Sequence, residues 1–179
     1  MILSGQSIRA RHYKRPLIQP FYERGLAHGM SYGLGPHGYD IRLDQPVEIA
    51  PRSYALGVAL EWLDMPNDLA GRIMDKSSWI RQGLTVGNSI VEAGWRGFLT
   101  IELFNWTGRP IVIKAGAPIA QLVFELLDQS AEKPYRGKYF DQPRVPVAAI
   151  AEYEPVRPAQ QKPQAKQERK PWKAPQQRR

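Results

Sequence analysis

The stretch Gly94-Trp95-Arg96-Gly97-Phe98-Leu99-Thr100-Ile101-Glu102-Leu103-Phe104-Asn105 alternates side-chain character along a β-rich run, and the fold class is read outward from it. Successive side chains of a strand point to opposite faces, so Leu99, Ile101 and Leu103 share one face. Phe98, Thr100, Glu102 and Phe104 share the other. Similar short runs recur at 54–62, 69–74, 111–114 and 119–127. Turn signals separate them: Pro66-Asn67-Asp68, Thr107-Gly108-Arg109-Pro110 and Ala115-Gly116-Ala117-Pro118. The glycines of 31–38 read as a turn-rich approach to a further strand, Tyr39-Asp40-Ile41-Arg42-Leu43. Many short strands at close spacing predict a mainly β sandwich or barrel rather than βαβ units. Helix is expected only twice. Ser4 is placed to cap a helix through Ile8 and Arg11, and residues 77–82 suit one or two turns.

Residues 1–150 form the expected folded domain, and residues 151–179 a basic Pro/Gln/Lys-rich tail. The formal net charge of +8 is concentrated there. From Pro155 to Arg179 eight Lys and Arg stand against Glu168 alone, giving the tail +7 and the rest of the chain +1. With few apolar residues to offset its ordering entropy, the tail is expected to be disordered. It serves either as a solubilising extension or as an arm for nucleic acid or another acidic partner, with Trp172 available for stacking. No cysteine occurs, which excludes disulfides and thiolate metal sites. The first residues lack signal-peptide character and no apolar run has the length of a membrane helix, so a soluble, cytoplasmic protein is expected.

Several chemistries lack their motifs. His12, His28 and His37 sit in no H-x-E or H-E-x-x-H context and no C-x-x-C exists, so the zinc-deaminase signature is missing. There is no Walker A loop, and the glycines of 31–38 do not open a helix. Three segments do carry chemistry. In Asp75-Lys76-Ser77-Ser78-Trp79-Ile80-Arg81, an ammonium, two hydroxyls and a guanidinium can converge on phosphate oxygens. The plain alternative is a capped helix start with solvated charges. Residues 83–97 suggest a Gly-rich hairpin whose backbone approaches a ligand, leading into the strand that holds Glu102. Glu102 is either a carboxylate facing solvent or a desolvated acid/base group between two Phe residues. Finally, Pro134 to Gln142 offers phenol, ammonium and amide donors, or else is a polar strand end.

In order and spacing these segments resemble the dCTP deaminase branch of the dUTPase superfamily across residues 1–142. The resemblance rests on Met1-Ile2-Leu3-Ser4, Tyr39-Asp40-Ile41-Arg42-Leu43, Lys76-Ser77-Ser78 with Arg81, and Gly94-Trp95. It continues through Thr100-Ile101-Glu102-Leu103-Phe104-Asn105, Ile119-Ala120-Gln121-Leu122-Val123-Phe124, and Gly137-Lys138-Tyr139 with Gln142. It implies a jelly-roll-like distorted barrel, a homotrimer with sites at subunit interfaces, and Mg²⁺ held by the nucleotide phosphates rather than by a protein cage. It implies that Glu102 is the catalytic acid/base for deamination of dCTP to dUTP, with Ser77 and Arg81 placing the water and the glutamate. Lys76, Ser78, Tyr135, Lys138 and Gln142 match nucleotide contacts. Glu92 falls near the sugar, and Thr100 and Ile101 fall in the base-binding strand. Lys76 stands where the family has arginine, Asn88 where a small alanine lines the water site, Ser89 where histidine is frequent, and Glu92 where aspartate is usual. Three other outcomes stay open: a bifunctional enzyme continuing to dUMP, a dUTPase using Glu92, or a nucleotide-binding regulatory trimer acting through its tail.

Overall fold

The structure, a computed structural model, describes residues 1–152; residues 153–179, with most of the expected tail, lie outside the described residues. Helix α1 (Gly5–Lys14) begins where Ser4 takes an extended conformation and its Oγ accepts from the Ser7 N–H at 3.4 Å. It ends where Arg15 turns extended, after a last turn holding Arg11, His12 and Lys14, cations that suit the negative end of the helix dipole. Ile8 and Leu17, both essentially unexposed, fasten this helix and its exit to the core.

The strands that follow are β1 (Ile18–Gln19), β2 (Gly25–Ala27), β3 (Met30–Leu34), β4 (Tyr39–Arg42), β5 (Val47–Ile49), β6 (Tyr54–Asp64) and β7 (Leu69–Asp75). After the single-turn helix α2 (Ser77–Ile80) come β8 (Leu84–Val86), β9 (Ile90–Val91), β10 (Arg96–Asn105), β11 (Ile111–Ile113) and β12 (Pro118–Leu126). One sheet has the order β1-β6-β10-β8, a second β2-β3-β4-β12-β7-β9, and β11 pairs with β5. Every named pairing is antiparallel. Ile41, Ile73 and Leu122 from the second sheet meet Leu63, Ile101 and Leu103 from the first in one apolar core. Two antiparallel sheets joined by crossing connections around that core are the mainly β, jelly-roll-like arrangement the sequence predicts. Among the described residues no helix is long and apolar enough to cross a membrane.

The long strands appear where periodicity puts them, with changes at three places. Residues 30–34 form a strand paired with β2 and β4 rather than a turn-rich approach. The 83–97 segment is not a hairpin: β8 pairs with β10 while β9 pairs with β7, so the chain crosses from one sheet to the other between them. The register of β10 against β6 also slips, from Phe98 opposite Trp62 to Thr100 opposite Val58. Such bulges bend a strand and re-aim its side chains. Glu61 lies in the bulged stretch and is fully buried. Its carboxylate accepts from the Arg42 backbone N–H at 2.8 Å and from Arg42 Nε at 2.7 Å. Burial pushes the Glu61 pKa up against the opposing pull of these bonds. The Arg42 guanidinium lies over the rings of Tyr22 and Tyr32, 4.6 and 4.3 Å from their centroids.

Candidate functional site

A cleft of about 490 Å³ opens over the β6–β10 face, and five of the residues singled out from the sequence line it: Glu92, Thr100, Glu102, Tyr135 and Gln142. Thr100 and Glu102 come from β10. Tyr54 and Leu56 stand opposite Phe104 and Glu102 on β6 and complete that wall. The chain around β9 contributes Ser89, Glu92 and Trp95, and the loop after β12 contributes Tyr135, Tyr139 and Gln142.

The loop is tied down bond by bond. Tyr135 N donates to Ala93 O at 2.8 Å, and the Tyr135 hydroxyl accepts from Tyr139 N at 3.1 Å. Trp95 Nε1 donates to Tyr139 O at 2.5 Å. Gln142 then runs beside Gly97 as an isolated parallel bridge, and its side-chain Oε1 accepts from Thr100 N at 3.3 Å. Gly97 permits this approach: its φ is 140°, and a Cβ there would sit 2.5 Å from Gln142 N. Residues 134–142 are therefore a loop laid along β10, not a strand end.

The chain next folds back over the cleft. Val147 N donates to Thr100 Oγ1 at 3.0 Å, Ile150 N to the Tyr139 hydroxyl at 3.0 Å, and Lys138 Nζ to Ile150 O at 2.6 Å. Residues 147–149 line the cleft, and Arg144 anchors the strap by an ion pair with Asp44 at 2.5 Å. The strap explains why Thr100 is only 8% exposed although simple alternation sends it outward with Glu102. Ile101 turns the other way, 1% exposed in the core, and does not line the cleft.

Glu102 is exposed within one chain. The burial that the sharper of the two sequence readings asked for is not provided by this chain alone. Among the described residues no hydrogen bond or ion pair engages its carboxylate. Glu92 is likewise exposed, and among the described residues no Lys or Arg lines the cleft. Aromatic and aliphatic walls with a few hydroxyl, amide and carboxylate groups suit a planar polar ring better than a polyanion.

Lys76, Ser77, Ser78, Arg81, Asn88 and Lys138 do not line this cleft. Lys76 Nζ is bound to Asp40 at 2.7 Å, with both side chains largely buried, so it clamps the start of α2 to β4. Next to it Asp75 Oδ1 accepts from Val86 N at 2.8 Å. Ser77 and Arg81 are exposed on α2, and Asn88 is exposed in the 87–89 turn. Ser78 borders a second, more open cleft with Gln82, His28, Val112 and Lys114. Sequence reasoning passed over Tyr54, Leu56 and the strap. The first two were findable as the cross-strand partners of Phe104 and Glu102, but nothing in 143–149 marks it as a cleft wall.

Comparison with known proteins agrees with this geometry. A family model described as dCTP deaminase-like matches residues 40–127, the span from β4 to just past β12. The dCTP deaminase of Pyrococcus furiosus is 33% identical over 154 residues, covering 78% of this chain and 91% of that protein. That of Thermococcus gammatolerans is 33% identical over 141 residues, covering 70% and 85%. That of Campylobacter fetus is 31% identical over 180 residues, covering 82% and 97%. Among solved structures, the EIAV dUTPase superposes with a TM-score of 0.51 at 18% identity, covering 68% of this chain and 97% of that one, which shows a shared fold. With a dUTPase-type fold and relatives at this level over most of its length, the chain belongs to the dCTP deaminase family.

Proposed function

We propose that the protein deaminates dCTP to dUTP, with Glu102 as general acid and base. The observation that carries this reading is the carboxylate itself: unpaired among the described residues, and held on a rigid strand at the wall of a ring-sized cleft. In the proposed reaction Glu102 accepts a proton from water while the oxygen bonds to C4 of cytosine. That proton passes to N3, Glu102 then carries the proton of the new C4 hydroxyl to the 4-amino group, and the C4–N bond breaks to release ammonia as the C4 carbonyl forms. The product keeps the oxygen at C4 as uracil. General acid/base groups of this kind contribute typically about 10²–10⁴-fold.

A triphosphate needs cations, and among the described residues no Lys or Arg lines the cleft. Lys76, Ser77, Ser78 and Arg81 sit on or beside α2, outside the cleft. This division supports a homotrimer in which Ser77, Ser78 and Arg81 of one subunit meet the Glu102 cleft of the next. Lys138 lies nearer, bonded to the strap. Mg²⁺ in this reading comes with the nucleotide and is held by its phosphates. Among the described residues no group of three or more His, Cys, Asp or Glu forms a metal site.

A second reading rests on Glu92, which lines the same cleft: the protein also cleaves dUTP to dUMP and pyrophosphate. Incubating the protein with dCTP and Mg²⁺ and resolving products over time separates the two. Appearance of dUTP supports deamination alone, and dUMP with pyrophosphate supports both reactions. No conversion of any cytosine nucleotide would overturn the proposal. The regulatory reading falls on the tail, outside the described residues, and deletion of 155–179 with a polyanion-binding assay across salt tests it.

A further inference from the structure

We propose that Gly87 is a positioning residue for Glu102: its lack of a side chain creates the seat against which the Glu102 carboxyl lies and so sets where the carboxylate oxygens enter the cleft. The inference rests on the proposed acid/base role of Glu102. A Cβ at Gly87 would lie 2.7 Å from Glu102 Oε2, 3.1 Å from its Cβ and 3.3 Å from its Cδ. Carbon atoms in contact prefer about 3.5–4.0 Å, so the added methyl and the present carboxyl cannot share this space.

The main chain cannot step aside to relieve the contact. Gly87 N donates to Glu102 O at 2.8 Å, directly after β8 pairs with β10 at Val86 and Leu103. Ser89 N closes the turn onto Gly87 O at 2.9 Å, and Ser89 O accepts from Ile73 N on β7 at 3.0 Å. The turn is thus fixed to both sheets. What can move is the end of the Glu102 side chain, which is exposed and, among the described residues, unpaired. At Gly97 a Cβ would instead meet main-chain atoms of Gln142, so that glycine serves the fold. Gly87 does not have the left-handed φ that would itself demand glycine. Its requirement is space, and the atoms that use the space all belong to the group assigned the proton transfers.

The test is Gly87→Ala. Misplacing a reacting group by about 1 Å costs on the order of 10²-fold, so kcat for dCTP is expected to fall about 10²-fold. KM should change by less than about threefold, because the variant disturbs the reacting centre rather than ground-state binding. The melting temperature should fall by less than about 8 °C, since the flexible carboxyl end absorbs the tightest contact and only the 3.1 Å contact with Glu102 Cβ asks the two strands for a few tenths of an ångström. A second measurement does not need turnover: the side-chain carboxyl ¹³C resonance of Glu102, assigned by its loss in Glu102→Gln, should shift in Gly87→Ala. If the wild type deaminates no cytosine nucleotide, the functional reading fails while this resonance still reports whether Gly87 seats Glu102. An unshifted resonance with kcat within about threefold of wild type overturns the proposal. So does a variant that fails to fold or loses kcat and nucleotide binding together, because either result makes Gly87 a fold residue.

Discussion

Glu61 on β6 and Glu102 on β10 stand on neighbouring strands of one sheet, and the protein surrounds them in opposite ways. Glu61 points into the core, is fully buried, and has its charge met by two bonds from Arg42. Glu102 points to the other side, is exposed, and its carboxylate is left unpaired among the described residues. A buried ion pair mainly costs desolvation and contributes a fixed geometry, so Glu61 is held in one state. A carboxylate on the cleft wall keeps its lone pairs for a ligand and for protons. Ordinary alternation lets one sheet do both: Glu61 shares the inward face of β6 with Ala59 and Leu63, while Glu102 stands opposite Leu56 on the outward face.

The comparison breaks most sharply at Glu102. Replacement by Gln should lower kcat for deamination by about 10³-fold or more while leaving urea unfolding unchanged, since the group is exposed and supports nothing. Glu61→Ala should do the reverse. It leaves the Arg42 guanidinium charge buried and unpaired, and the expected loss is about 3–5 kcal/mol, read from the denaturant midpoint. A smaller and pH-dependent effect is expected at His12. Its ring stacks on Phe21 at 4.1 Å and its Nδ1 accepts from Leu17 N at 3.2 Å, and desolvation lowers its pKa from the ordinary 6.5. The folded state then binds fewer protons at His12 than the unfolded chain does. The stability it contributes is present above pH 6.5 and is lost as pH falls below that value, through the lowered folded pKa. His12→Asn should flatten this part of the stability–pH curve. Least of all is expected from Arg72→Ala, which breaks an exposed pair with Glu125 at 3.1 Å and should cost about 0–1 kcal/mol in the same unfolding assay.

How far the sequence carried the reading follows the same contrast between local and tertiary causes. Strands β6, β7, β10 and β12 were legible because long alternating or apolar runs report burial directly. The short strands β1 and β5 and the β2–β3 hairpin were not, since two to five residues amid Gly, Pro and charges carry little periodicity. The 83–97 segment misled for a tertiary reason: its halves pair with different sheets, which no local pattern encodes. Alternation put Glu102 on the outward face, the family resemblance alone gave it a role, and the cleft gathers five of the residues so named. Thr100 shows the limit. Its burial comes from a strap more than forty residues later in the chain, so alternation alone places it in solvent. Lys76 shows another, because the same ammonium that suits a phosphate also suits Asp40, and only the fold brings that carboxylate within 2.7 Å.

Glu102, unpaired among the described residues, is the group proposed to perform the proton transfers of cytosine deamination. The most direct test follows dCTP over time with wild-type protein and with Glu102→Gln at equal folded concentration, detecting ammonia and uracil nucleotides together. Ammonia and dUTP or dUMP from the first, with none from the second, is the predicted result. Equal ammonia release from both would contradict the account.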